Sequence, residues 1–396
     1  MAQRIVIAGG GIVGRTLAIA LATQSHLSVR LVAGPEPGPD ARASAVSAGA
    51  RRLFGRLGVW PQMAADAEPM RGMRITDSAP DDIIRPPLLS FDGEVDGSPF
   101  AHMVPNGTTH AALEKRCETL GIVAEPHLVT FYEEDDRRVR VELSDGTSEE
   151  ADVLVAADGR QSRLRAIAGI DTVTRDYDQS GIAGTVAHEL PHEGIAVQHF
   201  LPNGPFAMLP LTGNRSSIVW TERPLFAKAM AEMDPLLAGI EIERVFGLSL
   251  GRITVEGALQ AYPLRRMLVR DWYAGRLVLA GDAAHVFHPL AGQGLNMGLR
   301  DVATLAETLI DAARIGEDLA LALPRYEKRR RADTTQMAAV TEGLNALFSH
   351  RSAALRAARS VGLGLVDRRA SLKALFMREA AGVEGETPRL MKGEAI

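Results

Sequence analysis

The sequence predicts an α/β fold: a discontinuous nucleotide-binding lobe with a parallel sheet, an inserted, mostly antiparallel β-sheet domain, and a helical C-terminal region. Three observations predict it. An all-apolar strand, Arg4-Ile5-Val6-Ile7-Ala8, runs into the turn Gly9-Gly10-Gly11-Ile12-Val13-Gly14 and then into helical text. A second strand-to-turn-to-helix passage, Arg276 to Gly298, comes late in the chain. Between them lie short alternating runs punctuated by Asn203-Gly204-Pro205 and Gly213-Asn214, the pattern of an antiparallel sheet.

Length and composition agree with a large globular protein. The 396 residues, 46% hydrophobic, are enough for two or three lobes. A net charge of −5 and a pI near 6.1 give no electrostatic reason to expect a nucleic-acid partner. Cys117 is the only cysteine, which excludes an intramolecular disulfide and a Cys-rich metal site. Its helical-looking context makes it a small packing residue, not a nucleophile. No metal site is expected, since His188, His192 and His199 lack ligand spacing. The start lacks a charged leader, and no apolar run approaches the ~20 residues of a membrane span. A cytoplasmic location is expected, with contact at the inner face of the membrane as the only membrane role.

The first lobe begins with the strand at 4–8, a helix from Ile12 to about Ala22, a second strand at Val29–Val32 and a helix near Ala45–Leu57. From Met73 to Phe100 the chain breaks into short apolar pieces between prolines and glycines, an excursion into sheet. Helical text returns at Thr108–Leu120. A hairpin is expected next, with arms Val139–Leu143 and Ala151–Ala156 joined through Asp145-Gly146. Strands follow at Ile195–Leu201, Phe206–Leu211 and Ser217–Thr221, and from Leu295 the chain is helical. The nucleotide lobe is accordingly assigned to 1–72, 100–180 and 265–325, the inserted sheet to 73–99 and 181–264, and the C-terminal helices to 326–396.

The chemistry concentrates in three turns. In the first, Gly9, Gly11 and Gly14 let backbone approach a pyrophosphate closely, and the helix start supplies unpaired N–H groups and a positive dipole end. This pattern calls for an acid about 20 residues on, at the end of the second strand, to take ribose hydroxyls. Ala33 stands there, and Glu36 is the nearest replacement. The second turn is Ala157-Asp158-Gly159-Arg160. The third runs from Gly281-Asp282 through His285, His288, Pro289, Gly292 and Gly294 to Leu295-Asn296, a strand end leading into a glycine-rich helix start.

Together, in this order, the three turns resemble the FAD-dependent aromatic-ring hydroxylases, the single-component flavoprotein monooxygenases, over nearly the whole chain. The stretches Arg42-Ala43-Ser44-Ala45-Val46-Ser47, Gly204–Leu211, Ala261-Tyr262-Pro263-Leu264 and Tyr326-Glu327-Lys328-Arg329-Arg330 look like the ubiquinone-biosynthesis hydroxylases within them. The resemblance implies a Rossmann-like FAD-binding domain. It implies FAD held by Gly9, Gly11, Gly14, Arg42, Asn106, Asp158 and Asp282, with Pro289, Gly292, Gly294 and the amides of Leu295 and Asn296 along the flavin ring. It implies hydroxylation of a polyprenylated phenol by a flavin C4a-hydroperoxide, with O2 and either NAD(P)H or a separate redox protein as reductant, and other ubiquinone-biosynthesis proteins as candidate partners.

An apolar wall of Phe206, Met208, Leu209 and Trp220 is expected to receive the substrate. No catalytic acid or base stands out; His285 and His288 are expected to be hydrogen-bonded structural histidines. Residues 351–378 hold seven basic residues against the one acid Asp367, interleaved with leucines, which suits an anionic membrane face; Gly362 and Gly364 interrupt the helix and Arg368 falls on its apolar side, which favours a helix packed on the first lobe. The alternatives are an FAD hydroxylase of a soluble aromatic and a non-catalytic flavoprotein or scaffold in a quinone-synthesis assembly. An NAD-dependent dehydrogenase is disfavoured, because it would need the carboxylate absent at Ala33.

Overall fold

The computed structural model describes residues 2–348 and 367–396, apart from positions 25, 36, 37, 39, 78–81, 83, 84, 93, 96, 290 and 291. The chain begins with β1 (Gln3–Ala8), α1 (Ile12–Ala22) and β2 (Leu27–Val32), a strand–helix–strand unit whose two strands pair in parallel. Next come β3 (Ala43–Ser47) and α2 (Ala48–Arg56). Here the expected helix at 45–57 is corrected. Its first residues form a strand, because Ala43 to Ser47 pair with β6 below, and the helix starts only where the Ser47 side chain accepts from the Ala50 N–H.

The excursion forms β4 (Gly72–Asp77) and β5 (Leu89–Asp92), after which β6 (Ala101–Pro105), α3 (Asn106–Thr119) and β7 (Ala124–Glu125) return to the first lobe. Cys117 on α3 is buried in the main core. The hairpin is also corrected: Val139–Leu143 turns back through Asp145-Gly146 onto Ser148–Ala151. The following residues, β8 (Val153–Ala156), pair parallel with β1 instead. Asp152 divides the two, exchanging backbone and carboxylate hydrogen bonds with the main chain of Arg4.

The rest of the chain is β9 (Thr172–His188), β10 (Ile195–Leu201), β11 (Gly204–Leu211), β12 (Arg215–Glu222), α4 (Pro224–Glu232), α5 (Pro235–Phe246) and β13 (Ile253–Val269). Then follow β14 (Tyr273–Ala274), β15 (Leu277–Leu279), β16 (His285–Val286), α6 (Gly294–Arg314), α7 (Leu319–Phe348) and α8 (Ala370–Ala380). Two sheets organise them. One, in the order β7-β2-β1-β8-β15-β14, is parallel except at its β14 edge. The other has eight strands in the order β16-β13-β9-β12-β11-β10-β4-β5.

The first sheet is packed by α1, α3 and α6 around residues such as Ile5, Ile7, Leu17, Val155 and Leu305, all fully buried. The second carries α4 and α5 on one face, closing a separate core that contains Phe206, Met208, Trp220, Met230 and Phe246. β9 and β13 are each 17 residues long and pair with one another along most of that length, past positions 180 and 264 without a break in either strand. Among the described residues no helix is long and apolar enough to cross a membrane. Of the basic segment 351–378, residues 351–366 lie outside the described residues; in the remainder, Leu375 and Phe376 are half exposed on α8.

Candidate active site

A cavity of about 1110 Å³ opens between the two sheets and changes character along its length. At one end its walls are glycine turns and charged groups: Gly11, Asp40, Arg42, Asn106, Arg160 and Asp282. At the other they are Met73, Ile75, Leu89, Phe91, Phe200 and Leu209, with Leu344 of α7 and Phe376 of α8 closing the side.

The glycine turn is a backbone cradle. Gly9 has φ +128°, and a Cβ there would lie 2.1 Å from the Ala157 carbonyl oxygen; one at Gly14 would lie 1.9 Å from the Gly9 oxygen. Around Gly11 no atom lies within 4 Å of the same position, so the turn is tight underneath and open towards the cavity. Gly11 is the N-cap of α1 and offers no side-chain cap, which leaves the first-turn N–H groups free for an anion.

Arg42 and Asn106 both line this end, but a residue that sequence reasoning missed holds them. Asp40 takes the Arg42 Nε at 2.7 Å and Nη2 at 2.8 Å, and the Asn106 amide at 2.8 Å. Burial works against the Asp40 charge, and the hydrogen bonds from Arg42 and Asn106 more than offset it, so the carboxyl titrates below its usual range. The only sequence signal was an acid two residues before the arginine, in a loop.

Asp282 presents its carboxylate to the cavity while protein surrounds it on its other sides. That desolvation pushes its pKa up, against the pull of His285, Arg42 and Arg160. Arg165, also unforeseen, ties the turns together by donating to the Ala283 and Arg160 carbonyls at 2.8 and 3.0 Å. Asp158 itself is turned into the chain, accepting from the Arg163 and Leu164 N–H groups. Gly292, φ +59°, Gly294 and Leu295 line the cavity with Pro289. The Asn296 side chain is spent on structure: it donates to the Ala45 carbonyl and accepts from the Ser47 N–H, fastening α6 to β3.

The histidines differ. His285 bonds Asp301 at 2.7 Å through Nε2. For His288 the expected hydrogen bond is absent; neither ring nitrogen has a partner among the described residues, and burial takes its pKa down to about 4. His188, His192 and His199 are each hydrogen-bonded within the sheet region. Among the described residues no group of His, Cys, Asp or Glu is arranged to hold a metal ion.

The expected substrate wall is corrected in part. Leu209 faces the cavity, whereas Phe206, Met208 and Trp220 point to the opposite side, into the core under α4 and α5. Strand alternation enforces this: once Ala207 and Leu209 face inward, 206 and 208 cannot. Tyr262 was quoted only as part of a motif, yet it lines the cavity between its two ends, its ring lying over Gly181, where a Cβ would be 2.7 Å from it. Burial raises the pKa of its phenol, so the O–H remains available as a donor.

The sequence profile of the family described as "FAD binding domain" matches residues 2–341. The chain belongs to this family. FAD is its cofactor, and the tight, one-sided glycine cradle, the free α1 N-terminus and the accessible Asp282 carboxylate fit that dinucleotide. This FAD-binding protein is 40% identical to the ubiquinone hydroxylase UbiL of Rhodospirillum rubrum, over 98% of this chain and 92% of that one. It is 33% identical to the 3-demethoxyubiquinol 3-hydroxylase of Escherichia coli, over 96% and 98%. In fold it is similar to p-nitrophenol 4-monooxygenase PnpA from Pseudomonas putida, with TM-score 0.81 at 19% identity, covering 98% of this chain and 99% of that one. The protein is an FAD-dependent monooxygenase.

Proposed function

We propose that the protein hydroxylates the aromatic ring of a polyprenylated phenol in ubiquinone biosynthesis. The observation that carries the reading is the continuity of the cavity from a charged dinucleotide end into an apolar chamber. Such a chamber suits a prenylated ring by removing its apolar surface from water. The names of the Rhodospirillum rubrum and Escherichia coli relatives support the same substrate class.

FAD, when bound, supplies the redox chemistry that activates O2. The chain's residues bind, orient and shield. Gly9, Gly11 and Gly14 with the α1 N-terminus would take the pyrophosphate, Arg42 would neutralise it, and Asn106 and Asp282 would hold the polyol linker. Pro289, Gly292, Gly294 and the N–H groups of Leu295 and Asn296 would offer the positive dipole end of α6 to the ring system. Phe91, Phe200 and Leu209 exclude water from the reacting ring. The reductant is NAD(P)H or a redox protein, and a water-insoluble substrate gives the half-exposed Leu375 and Phe376 of α8 a role at a membrane face.

The test is to load the purified protein with FAD and supply a short-chain prenylated phenol, a reductant and 18O2. Label in a new ring hydroxyl is expected. Hydroxylation of small soluble phenols with none on the prenylated ring would replace this reading with that of a soluble-aromatic hydroxylase.

A further inference from the structure

The cavity-facing side of the eight-stranded sheet carries polar groups that the protein does not use. Gln198 lies in the middle of β10, in register with Ile75 of β4 on one side and Ala207 of β11 on the other. Alternation sends Val197 and His199 to the face under α5, where His199 stacks on Phe206, and turns Gln198 and Phe200 to the cavity. Gln198 is only 6% exposed, its amide keeps access to the cavity, and no hydrogen bond to it is found among the described residues.

An amide held on a largely buried strand with no protein partner takes its hydrogen bonds from water or from a ligand in the cavity. Ser217 and Thr221 repeat the pattern on the same face. They flank Val219 of β12, which pairs with Ala207, and both hydroxyls are buried without a partner. Around the three polar groups the side chains are small or apolar: Ala183, Ala207, Val219 and Leu209. A ring lying on this face would meet the Gln198 amide, with room left by the alanines, while the Ser217 and Thr221 hydroxyls are closed off behind their neighbours.

We infer that Gln198 recognises an oxygen substituent of the aromatic substrate and so sets which ring is accepted. The inference rests on the reading of the substrate as an oxygenated aromatic ring. A glutamine suits that task because Oε1 accepts from a phenol O–H while Nε2 donates to a methoxy or carbonyl oxygen. A site built around such a group discriminates strongly against a ligand lacking the oxygen, because its own polar atoms are then left unpaired. Gln198 is a specificity residue, apart from the turns that hold the cofactor.

The test uses the FAD-loaded protein and two probes, a geranylated methoxyphenol and the geranylated benzene without ring oxygens, titrated through the perturbation of flavin absorbance. Gln198→Met is expected to weaken the methoxyphenol by at least about tenfold while leaving the hydrocarbon within about threefold. Ser217→Ala and Thr221→Val, whose hydroxyls are closed off from the cavity, should leave the same ratio within about threefold. Equal weakening of both probes, or no change in either, overturns the inference. Should Gln198→Met lose FAD, Gln198→Glu keeps the shape but removes the donor, and it must still lower the methoxyphenol preference. A wild-type protein that binds neither geranylated probe refutes the polyprenyl substrate instead, and methoxyphenol against benzene then applies the same criterion to Gln198.

Discussion

The Asp301 carboxylate meets the Arg330 guanidinium at 2.6 Å with both side chains wholly shielded from water. Its second oxygen accepts from the Gly281 N–H at 2.9 Å and from His285 Nε2 at 2.7 Å. Burial alone would raise the pKa of Asp301; His285 and Arg330 hold it below the ordinary range. One charge therefore fixes the turn that carries Asp282, the β16 strand and the α7 helix onto α6.

Removing that charge leaves the buried Arg330 with Asp333, at 2.6 Å, as its remaining ionic partner among the described residues, so Asp301→Ala should destabilise the FAD-free protein by about 3 kcal/mol in urea unfolding, the low end for a broken buried pair. The double variant Asp301→Ala/Arg330→Met should lose clearly less than the sum of the single losses. Additive losses would mean that the pair is not coupled.

At the cofactor end, Arg42→Ala should weaken FAD about ten- to a hundredfold in equilibrium dialysis, the range of one charge-assisted hydrogen bond. Asp40→Asn should have the opposite sign, because it removes a negative charge that competes with phosphate for the same guanidinium. A weaker hold on FAD in Asp40→Asn would show instead that the carboxylate is needed to aim Arg42.

Ala33 ends β2 with its Cβ directed at the glycine turn, 2.4 Å from where a Cβ on Gly10 would stand. Its N–H is bound to the Glu125 carbonyl at 2.8 Å, so the backbone there is fixed. The expected consequence is FAD that dialyses away readily, and an Ala33→Glu variant that binds it about tenfold or more tightly. Stoichiometric FAD after long dialysis of the wild type would point to a ribose contact from elsewhere; Glu36, the nearest sequence alternative, lies outside the described residues.

The pH dependence follows from the buried neutral imidazoles. Burial lowers the pKa of His288 from 6.5 to about 4, and His102 and His199 shift likewise to about 4. The folded values lie below the unfolded ones, so the unfolded chain binds more protons as acid is added. Stability is full above pH 6.5 and is lost as pH falls towards 4. Between pH 7 and 5, His288→Leu should recover about 1–2 kcal/mol of the wild-type loss in denaturant titrations. Parallel pH profiles for the two proteins would rule this out.

How much of this was legible in the sequence depended on whether a feature was local. The Gly9–Gly14 turn and the Gly281–Asn296 passage could be read because strand, turn and helix start are written within about 20 residues. Which face of β11 and β12 would be covered by helices is a long-range fact, and so Phe206, Met208 and Trp220 were assigned to the wrong side. A hint was present: the intervening residues Ala207, Ser217 and Val219 are small, as the lining of a cavity would be. The first half of β9 escaped notice because Arg175-Asp176-Tyr177-Asp178-Gln179 is polar. It also contains a bulge, with Asp178 at φ +53°. Asp40 could not be singled out, because its role depends on Asn106, 66 residues further along the chain.

The pairing of β9 with β13 has a practical consequence for how this enzyme can be taken apart. At about 3.3 Å per residue each strand is a beam of roughly 55 Å, and the two belong at once to the cofactor end and to the ring-binding face. Both strands run on through positions 180 and 264, so neither half could be expressed, exchanged with a homologue or evolved independently of the other. A fragment ending at 180 or beginning at 265 would carry a severed strand with a raw edge, and would be expected to aggregate rather than fold. New substrate preferences in this architecture must therefore arise by changing side chains on the sheet, not by trading modules.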